Sequence, residues 1–192
     1  MTDPVHVLLP TRGVIALTGP DGRAFLQGLV SNDMTRVAAD RAVYAAFLTP
    51  QGKFLHDFFI VERGDALLID CEAERLPDLK RRLGMFKLRS KVALEDASQR
   101  FAVAAAPGAE ALARLGMSEE PGRGMEFGGG IAYVDPRLAA MGARFILPRE
   151  EAAAALAATG LGPGTVADYD RLRLELGLPD GSRDLEIEKS IL

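Results

Sequence analysis

Asp57 is a carboxylate set inside the apolar run Phe54-Leu55-His56-Asp57-Phe58-Phe59-Ile60-Val61. Such a run reads as a mostly buried strand. A carboxylate removed from water costs free energy unless it is hydrogen-bonded or paired with a cation. A chain that keeps one there has a use for it, which makes Asp57 the first candidate functional group. The alternative is ordinary strand alternation, with Asp57 on the watered face of a hairpin or capping a nearby loop. A second concentration of charge is basic: Lys80, Arg81, Arg82, Lys87, Arg89 and Lys91 fall within one short stretch. It is either a solvated helix face or a site for an anionic ligand tail.

Other chemistries find little support. Cys71 is the single cysteine, so no disulfide forms within the chain. With only His6 and His56 beside it, a structural zinc site is not expected. Gly128-Gly129-Gly130 lacks the lysine and the strand–helix setting of a phosphate loop.

The elements that must position Asp57 follow from turn chemistry. Val43 to Leu48 reads as a strand and Thr49-Pro50-Gln51-Gly52 as a reverse turn, with proline preset at its first central position. Lys53 to Val61 is then the return strand of a hairpin. Glu62-Arg63-Gly64-Asp65 turns into a third strand over residues 66–71, with Cys71 as a small core residue. Before the hairpin, Val14 to Thr18 reads as a strand. Asp21 is placed to cap a helix carrying Phe25, Leu26, Leu29 and Val30 on one face. Gly28 permits close packing or an early end to that helix. Ser31-Asn32-Asp33 are turn and cap formers.

After the hairpin, Glu74 to Phe86 is helical in its spacing of Leu76, Leu79, Leu83 and Phe86, and Pro77 suits the first turn. Strands are expected at 92–94, 101–105, 131–134 and 143–147, the last two paired. Helices are expected after Pro107-Gly108, over 150–158 and over 166–176. The glycine-rich stretch Gly116 to Gly130 reads as loop. The order of strands and helices indicates an α+β class.

The chain has 192 residues, 48% of them hydrophobic and 26% charged, with a formal net charge of −4. That balance suits a globular domain or two small ones and gives no general attraction to nucleic acid or to an anionic membrane. No stretch of apolar residues is long enough to span a membrane, and the first residues lack a signal peptide's pattern. The expectation is a cytoplasmic protein.

Four segments taken together carry a resemblance. They are Phe25-Leu26-Gln27-Gly28-Leu29-Val30-Ser31-Asn32-Asp33, Leu48-Thr49-Pro50-Gln51-Gly52-Lys53-Phe54-Leu55-His56-Asp57, Phe86-Lys87-Leu88-Arg89-Ser90-Lys91-Val92 and Tyr169-Asp170-Arg171-Leu172-Arg173-Leu174-Glu175-Leu176-Gly177-Leu178-Pro179. In order and spacing they resemble the YgfZ-type folate-binding proteins, relatives of the glycine cleavage T-protein, an aminomethyltransferase. The resemblance covers nearly the whole chain. It implies an α+β fold of intertwined domains around a folate channel, with antiparallel sheets covered by helices and an approximate division at 1–99 and 100–192. The family's C-terminal β-barrel and its Lys-Gly-Cys-Tyr-x-Gly-Gln-Glu signature follow the matched segments. Neither occurs within these 192 residues, so a truncated member or a fragment is expected.

The resemblance also implies a ligand, tetrahydrofolate, and residues to hold it. Asp57 matches an aspartate near the reactive nitrogens of the folate, where T-proteins usually show two adjacent aspartates; here the first is His56. Glu175 matches a glutamate that binds the pterin ring, and Asn32 an asparagine near the channel. A pterin edge offers N–H donors that suit a carboxylate. An aspartate near N5 or N10 can accept a proton or steady a developing cation. Read from the residues alone, Glu175 can instead pair with Arg171 one helical turn away, and Asn32 can serve only as a cap. The implied function is that of a folate-binding accessory protein for iron–sulfur cluster assembly or repair, with iron–sulfur proteins or assembly factors as partners. The alternatives are an aminomethyltransferase and a ligand-free interaction scaffold.

Overall fold

The computed structural model describes residues 3–191. Strand β1 (Val5–Leu8) is followed after a short turn by β2 (Arg12–Thr18), and α1 spans Gly22–Gln27. The hairpin is formed by β3 (Val43–Leu48) and β4 (Phe54–Arg63), and β5 (Ala66–Glu72) lies beside it. Helix α2 (Leu76–Met85) carries Pro77 in its first turn and leads to β6 (Ala93–Asp96). The rest of the chain is β7 (Phe101–Ala106), α3 (Ala109–Arg114), β8 (Gly124–Phe127), β9 (Gly130–Val134), β10 (Ala143–Pro148), α4 (Ala152–Ala157), β11 (Gly162–Pro163) and α5 (Val166–Glu175).

These strands make two sheets. One has the order β3-β4-β5-β2-β6, and the other β11-β1-β7-β10-β9-β8. All pairings are antiparallel except β1 with β11. The chain changes sheet between β1 and β2, where the Leu9 N–H donates to the Val103 carbonyl at 2.9 Å and the Arg12 N–H to the Leu9 carbonyl at 3.0 Å. The first strand therefore belongs to the sheet built from the second half of the sequence.

The sheets stack face to face with helices outside, giving four layers. Alternate residues of each strand serve different layers, as the pleat requires. Ile15, Leu17, Phe58, Ile60 and Ile69 face the helices and pack with Phe25, Leu26, Leu76, Leu79 and Leu83. Val14, Ala16, Phe59, Val61 and Leu68 face the second sheet and meet Val7, Val103, Ala105, Tyr133 and Ile146. The outer face of the second sheet packs Phe145 and Leu147 against Leu112 of α3 and Leu156 of α4. Each large side chain so buried contributes about 1.5–3 kcal/mol. Helix α5 lies along β1 and sends Tyr169 into the core between the sheets. A capping box between Thr165 and Asp168 starts it, and Gly177, at φ +69°, ends it.

The α+β class, the hairpin and its third strand form as the turn chemistry indicates. Three local expectations change. The stretch Gly116 to Gly130 is not all loop: β8 and β9 form a hairpin in which Phe127 pairs with Gly130 across Gly128-Gly129, at φ +52° and +69°. Two residues with positive φ are what a tight hairpin turn requires. Helix α1 ends at Gln27, with Gly28 as its C-cap, and Leu29 and Val30 pack on the core from the following turn. Asp21 precedes α1 but caps nothing; its carboxylate accepts from the Lys91 N–H at 2.7 Å. No helix among the described residues is long and apolar enough to cross a membrane.

Candidate functional site

The alternation that buries Phe59 and Val61 between the sheets carries Asp57 and Asp70 to the same interface. Asp70 stands opposite Phe59 across the β4–β5 ladder and opposite Val14 across β5–β2. Tyr44 is the neighbour of Phe59 on β3. A polar centre forms at this end of the apolar core.

Asp70 anchors it. Its Oδ1 accepts from Arg12 Nε at 2.7 Å and its Oδ2 from Arg144 Nη2 at 2.6 Å. Burial alone would raise its pKa, but Arg12 and Arg144 override that and hold it below the ordinary carboxylate value. Arg144 also donates to the Tyr169 hydroxyl at 2.9 Å. Arg137 grips Asp135 through Nε at 3.0 Å and Nη2 at 2.7 Å, and donates to the Pro179 carbonyl at 3.1 Å. The ring of Phe59 lies beneath three guanidinium groups, at 3.9 Å from Arg144, 4.9 Å from Arg137 and 5.7 Å from Arg12. Cations over an aromatic face are attracted by its quadrupole, which offsets part of their burial cost. The Tyr133 hydroxyl and Arg144 Nε are buried with no hydrogen-bond partner among the described residues.

Asp57 is 3% exposed and held differently. Its Oδ2 accepts from the Tyr44 hydroxyl at 2.8 Å, while no described residue donates to Oδ1. Burial raises its pKa, and the attraction of Arg12, the Tyr44 hydrogen bond and Arg137 only partly counter this. Asp57 is therefore a carboxylate with one oxygen spoken for, one free, and a proton affinity above the ordinary. A β-carbon placed on Gly181 would stand 3.1 Å from Oδ1, so the turn at Gly181–Arg183 passes close to that oxygen.

His56 faces the other way, toward α2. Its Nε2 lies 3.0 Å from Asp78 Oδ2. Burial and the neighbouring Arg75 lower its pKa to about 4. It is a neutral structural group that donates Nε2–H to Asp78. Cys71 is buried in the same layer, its thiol pushed up to about 12 by burial, and it carries no reactivity.

The other two residues singled out in the sequence stand elsewhere. Asn32 donates from its amide nitrogen to the Tyr44 carbonyl at 2.7 Å and accepts from the Asp33 N–H at 2.7 Å. Both ends of its side chain are thus used to tie the loop before β3. Glu175 is exposed at the end of α5 and lines a cleft of about 620 Å³ with Glu110, Asp168 and Leu172. Asp57 does not line that cleft. Arg171 pairs with Asp168 at 3.5 Å and leaves Glu175 without a partner among the described residues.

The sequence reading did not single out Arg12, Asp70, Arg137 or Arg144. A usable signal was present: Asp70 in Leu67-Leu68-Ile69-Asp70-Cys71 and Arg144 in Ala143-Arg144-Phe145-Ile146-Leu147 are charges inside apolar strands, as Asp57 is.

No family model matches the chain. It is similar to the protein named iron–sulfur cluster assembly factor IBA57 homolog, mitochondrial, of Mycosarcoma maydis, 32% identical over 200 residues, covering 95% of this chain and 45% of that protein. It is 30% identical over 191 residues to the mitochondrial iron–sulfur cluster assembly factors IBA57 of Mus musculus and Homo sapiens, covering 92% of this chain and 51% of each. The chain spans about half the length of the curated relatives it matches. Among solved structures it resembles the glycine cleavage system aminomethyltransferase T of Bartonella henselae, with a TM-score of 0.73 and 19% identity over 93% of this chain and 52% of that one. The fold is thus that of the T-protein kind, as the four segments imply. The expectation of a cytoplasmic protein is overturned: these three relatives are named as mitochondrial. That expectation rested on the lack of a secretory signal pattern and of a membrane-spanning stretch, and neither separates the cytoplasm from the interior of a mitochondrion.

Proposed function

We propose that this chain is the tetrahydrofolate-binding portion of an iron–sulfur cluster assembly factor of the YgfZ type, an accessory protein and not a self-contained enzyme. The observation that carries the assembly role is the similarity to the IBA57 factors over 92–95% of the chain. The folate part is supported by the state of Asp57. A free Oδ1 suits an N–H donor of a bound pterin, and a raised pKa suits a group that holds a proton beside N5 or N10. Glu175 presents a second unpaired carboxylate in the cleft beside α3, which Asp57 does not line, so it would take the pterin edge only of a ligand that spans the two places. Asn32 fits a ligand role less well, because both ends of its amide hold the loop. Tetrahydrofolate, when bound, would supply a one-carbon acceptor at N5 and N10.

One observation favours the ligand-free scaffold instead. The Gly181 turn comes close to Oδ1, and Asp70 already pairs with both Arg12 and Arg144.

Calorimetric titration of the chain with tetrahydrofolate separates the two readings. Binding is expected. A charge-assisted hydrogen bond is worth about 1.5–3 kcal/mol, so Glu175→Ala weakens binding by about ten- to a hundredfold. Absence of binding by the parent chain leaves the scaffold. Equal binding by Glu175→Ala removes that residue from the site. The assembly role has its own readout: loss of the gene should lower the activity of iron–sulfur enzymes in the cell, and the intact gene should restore it.

A further inference from the structure

The segment between α2 and β6 exposes apolar and basic side chains together. Met85 is 57% exposed, Phe86 48% and Leu88 89%. A reverse turn closed by the Ser90 N–H on the Lys87 carbonyl, at 2.8 Å, puts Leu88 at its apex. Leu88 sits at φ +41°, one of two non-glycine residues with positive φ among the described residues. A branched residue in the left-handed region is strained, and such positions persist where surrounding structure imposes them. Here the imposing contacts are visible. Val92 is buried, the Lys91 N–H is fixed on Asp21, and the edge of Phe86 meets the ring of Phe47 with centroids 6.0 Å apart. The loop is built to hold a leucine out in water.

Its charge is mainly basic, with the Asp21 carboxylate at its edge beside Leu88 and Arg89. No acidic residue occurs from Leu79 to Leu94. Asp78 accepts from Arg81 at 2.6 Å and from Arg82 at 2.8 Å, which leaves the exposed Lys87, Arg89 and Lys91 without a carboxylate partner among the described residues. The formal net charge of the chain is −4, so the sign of this patch opposes that of the whole.

We propose that Met85–Lys91 is a docking surface for an acidic amphipathic segment of a partner protein, with Leu88 as its anchor. An apolar stripe on the partner covers Met85, Phe86 and Leu88, and flanking carboxylates meet Lys87, Arg89 and Lys91. The charge selects an acidic partner. The protruding apolar apex selects an amphipathic one over a purely polar chain such as a run of glutamates. The overall negative charge of the chain disfavours a membrane of anionic lipid. The surface is separate from Asp57 and does not depend on the folate reading.

The test uses the 192-residue chain and a synthetic amphipathic helix of about 18 residues with leucine on one face and glutamate on the other. Binding is read by fluorescence anisotropy. Binding should weaken from about 50 mM to about 300 mM salt. Leu88→Gly and the pair Lys87→Glu with Arg89→Glu should each weaken it about tenfold or more. Glycine tolerates positive φ, so Leu88→Gly should keep or raise the melting temperature while binding falls. A lowered melting temperature would make Leu88 a structural residue and overturn the proposal. So would equal binding of a polyglutamate peptide, binding to vesicles of phosphatidylcholine and phosphatidylglycerol in place of the helix, or self-association that Leu88→Gly abolishes.

Discussion

The two faces of the five-stranded sheet are made by alternate residues of the same strands, yet they are held by different physics. The helix-facing side is apolar apart from His56: Ile15, Phe58, Ile60 and Ile69 pack against leucines of α2. The side facing the second sheet carries Arg12, Asp57, Phe59 and Asp70. On the first side each contact contributes by its buried area, and losses there are close to local. On the second, Arg12, Asp70 and Arg144 are each tolerable only because their partners are present, so those three stand or fall together. His56 and Asp57 are neighbours in the chain and show the contrast at closest range. His56 faces the helix, neutral and paired with Asp78; Asp57 faces the polar centre, half satisfied and raised in pKa.

The comparison breaks most readily at Asp70. Asp70→Ala leaves Arg12 and Arg144 buried without their carboxylate, and a loss of about 3–5 kcal/mol is expected in denaturant unfolding. On the apolar face, Ile60→Ala should cost somewhat less, about 2–4 kcal/mol, from lost burial and the cavity left behind. If Ile60→Ala proves the more damaging, the polar centre is not the more cooperative side.

A pH series sharpens the contrast at His56. Its pKa falls from 6.5 in the unfolded chain to about 4 in the fold. The unfolded state therefore takes up a proton first, and stability is full above pH 6.5 and lost as pH falls toward about 4. The loss across that window is about 3 kcal/mol, and His56→Gln should flatten it. A profile unchanged by His56→Gln would assign the acid sensitivity to other groups.

The smallest effect belongs to Asp57. Asp57→Asn keeps the size and the Tyr44 contact and removes a charge that burial disfavours. Its stability should stay within about 1 kcal/mol of the parent by thermal unfolding. A loss as large as that of Asp70→Ala would make Asp57 one more member of the structural network and remove its distinction as a group reserved for a ligand.

The sequence by itself determined the local pieces. Thr49-Pro50-Gln51-Gly52 set the hairpin, leucines three and four apart set α2, and an apolar run around one carboxylate made Asp57 a candidate, with burial and a water-facing position both open until the fold buried it. These are short-range matters of turn preference and periodicity, and a few neighbouring residues decide them. Only the tertiary structure decided what stands around Asp57. Arg12 meets Asp70 across 58 positions and Arg144 meets it across 74, and the Gly181 turn reaches Asp57 from the far end of the chain. Those meetings depend on β1 crossing to the second sheet and on two sheets stacking face to face. Glu175 shows the other side of the same limit. Helical periodicity placed it on α5, but whether it faced Asp57 or the cleft beside α3 depended on how α5 docks along β1. Docking is set by long-range packing between surfaces that no local pattern specifies.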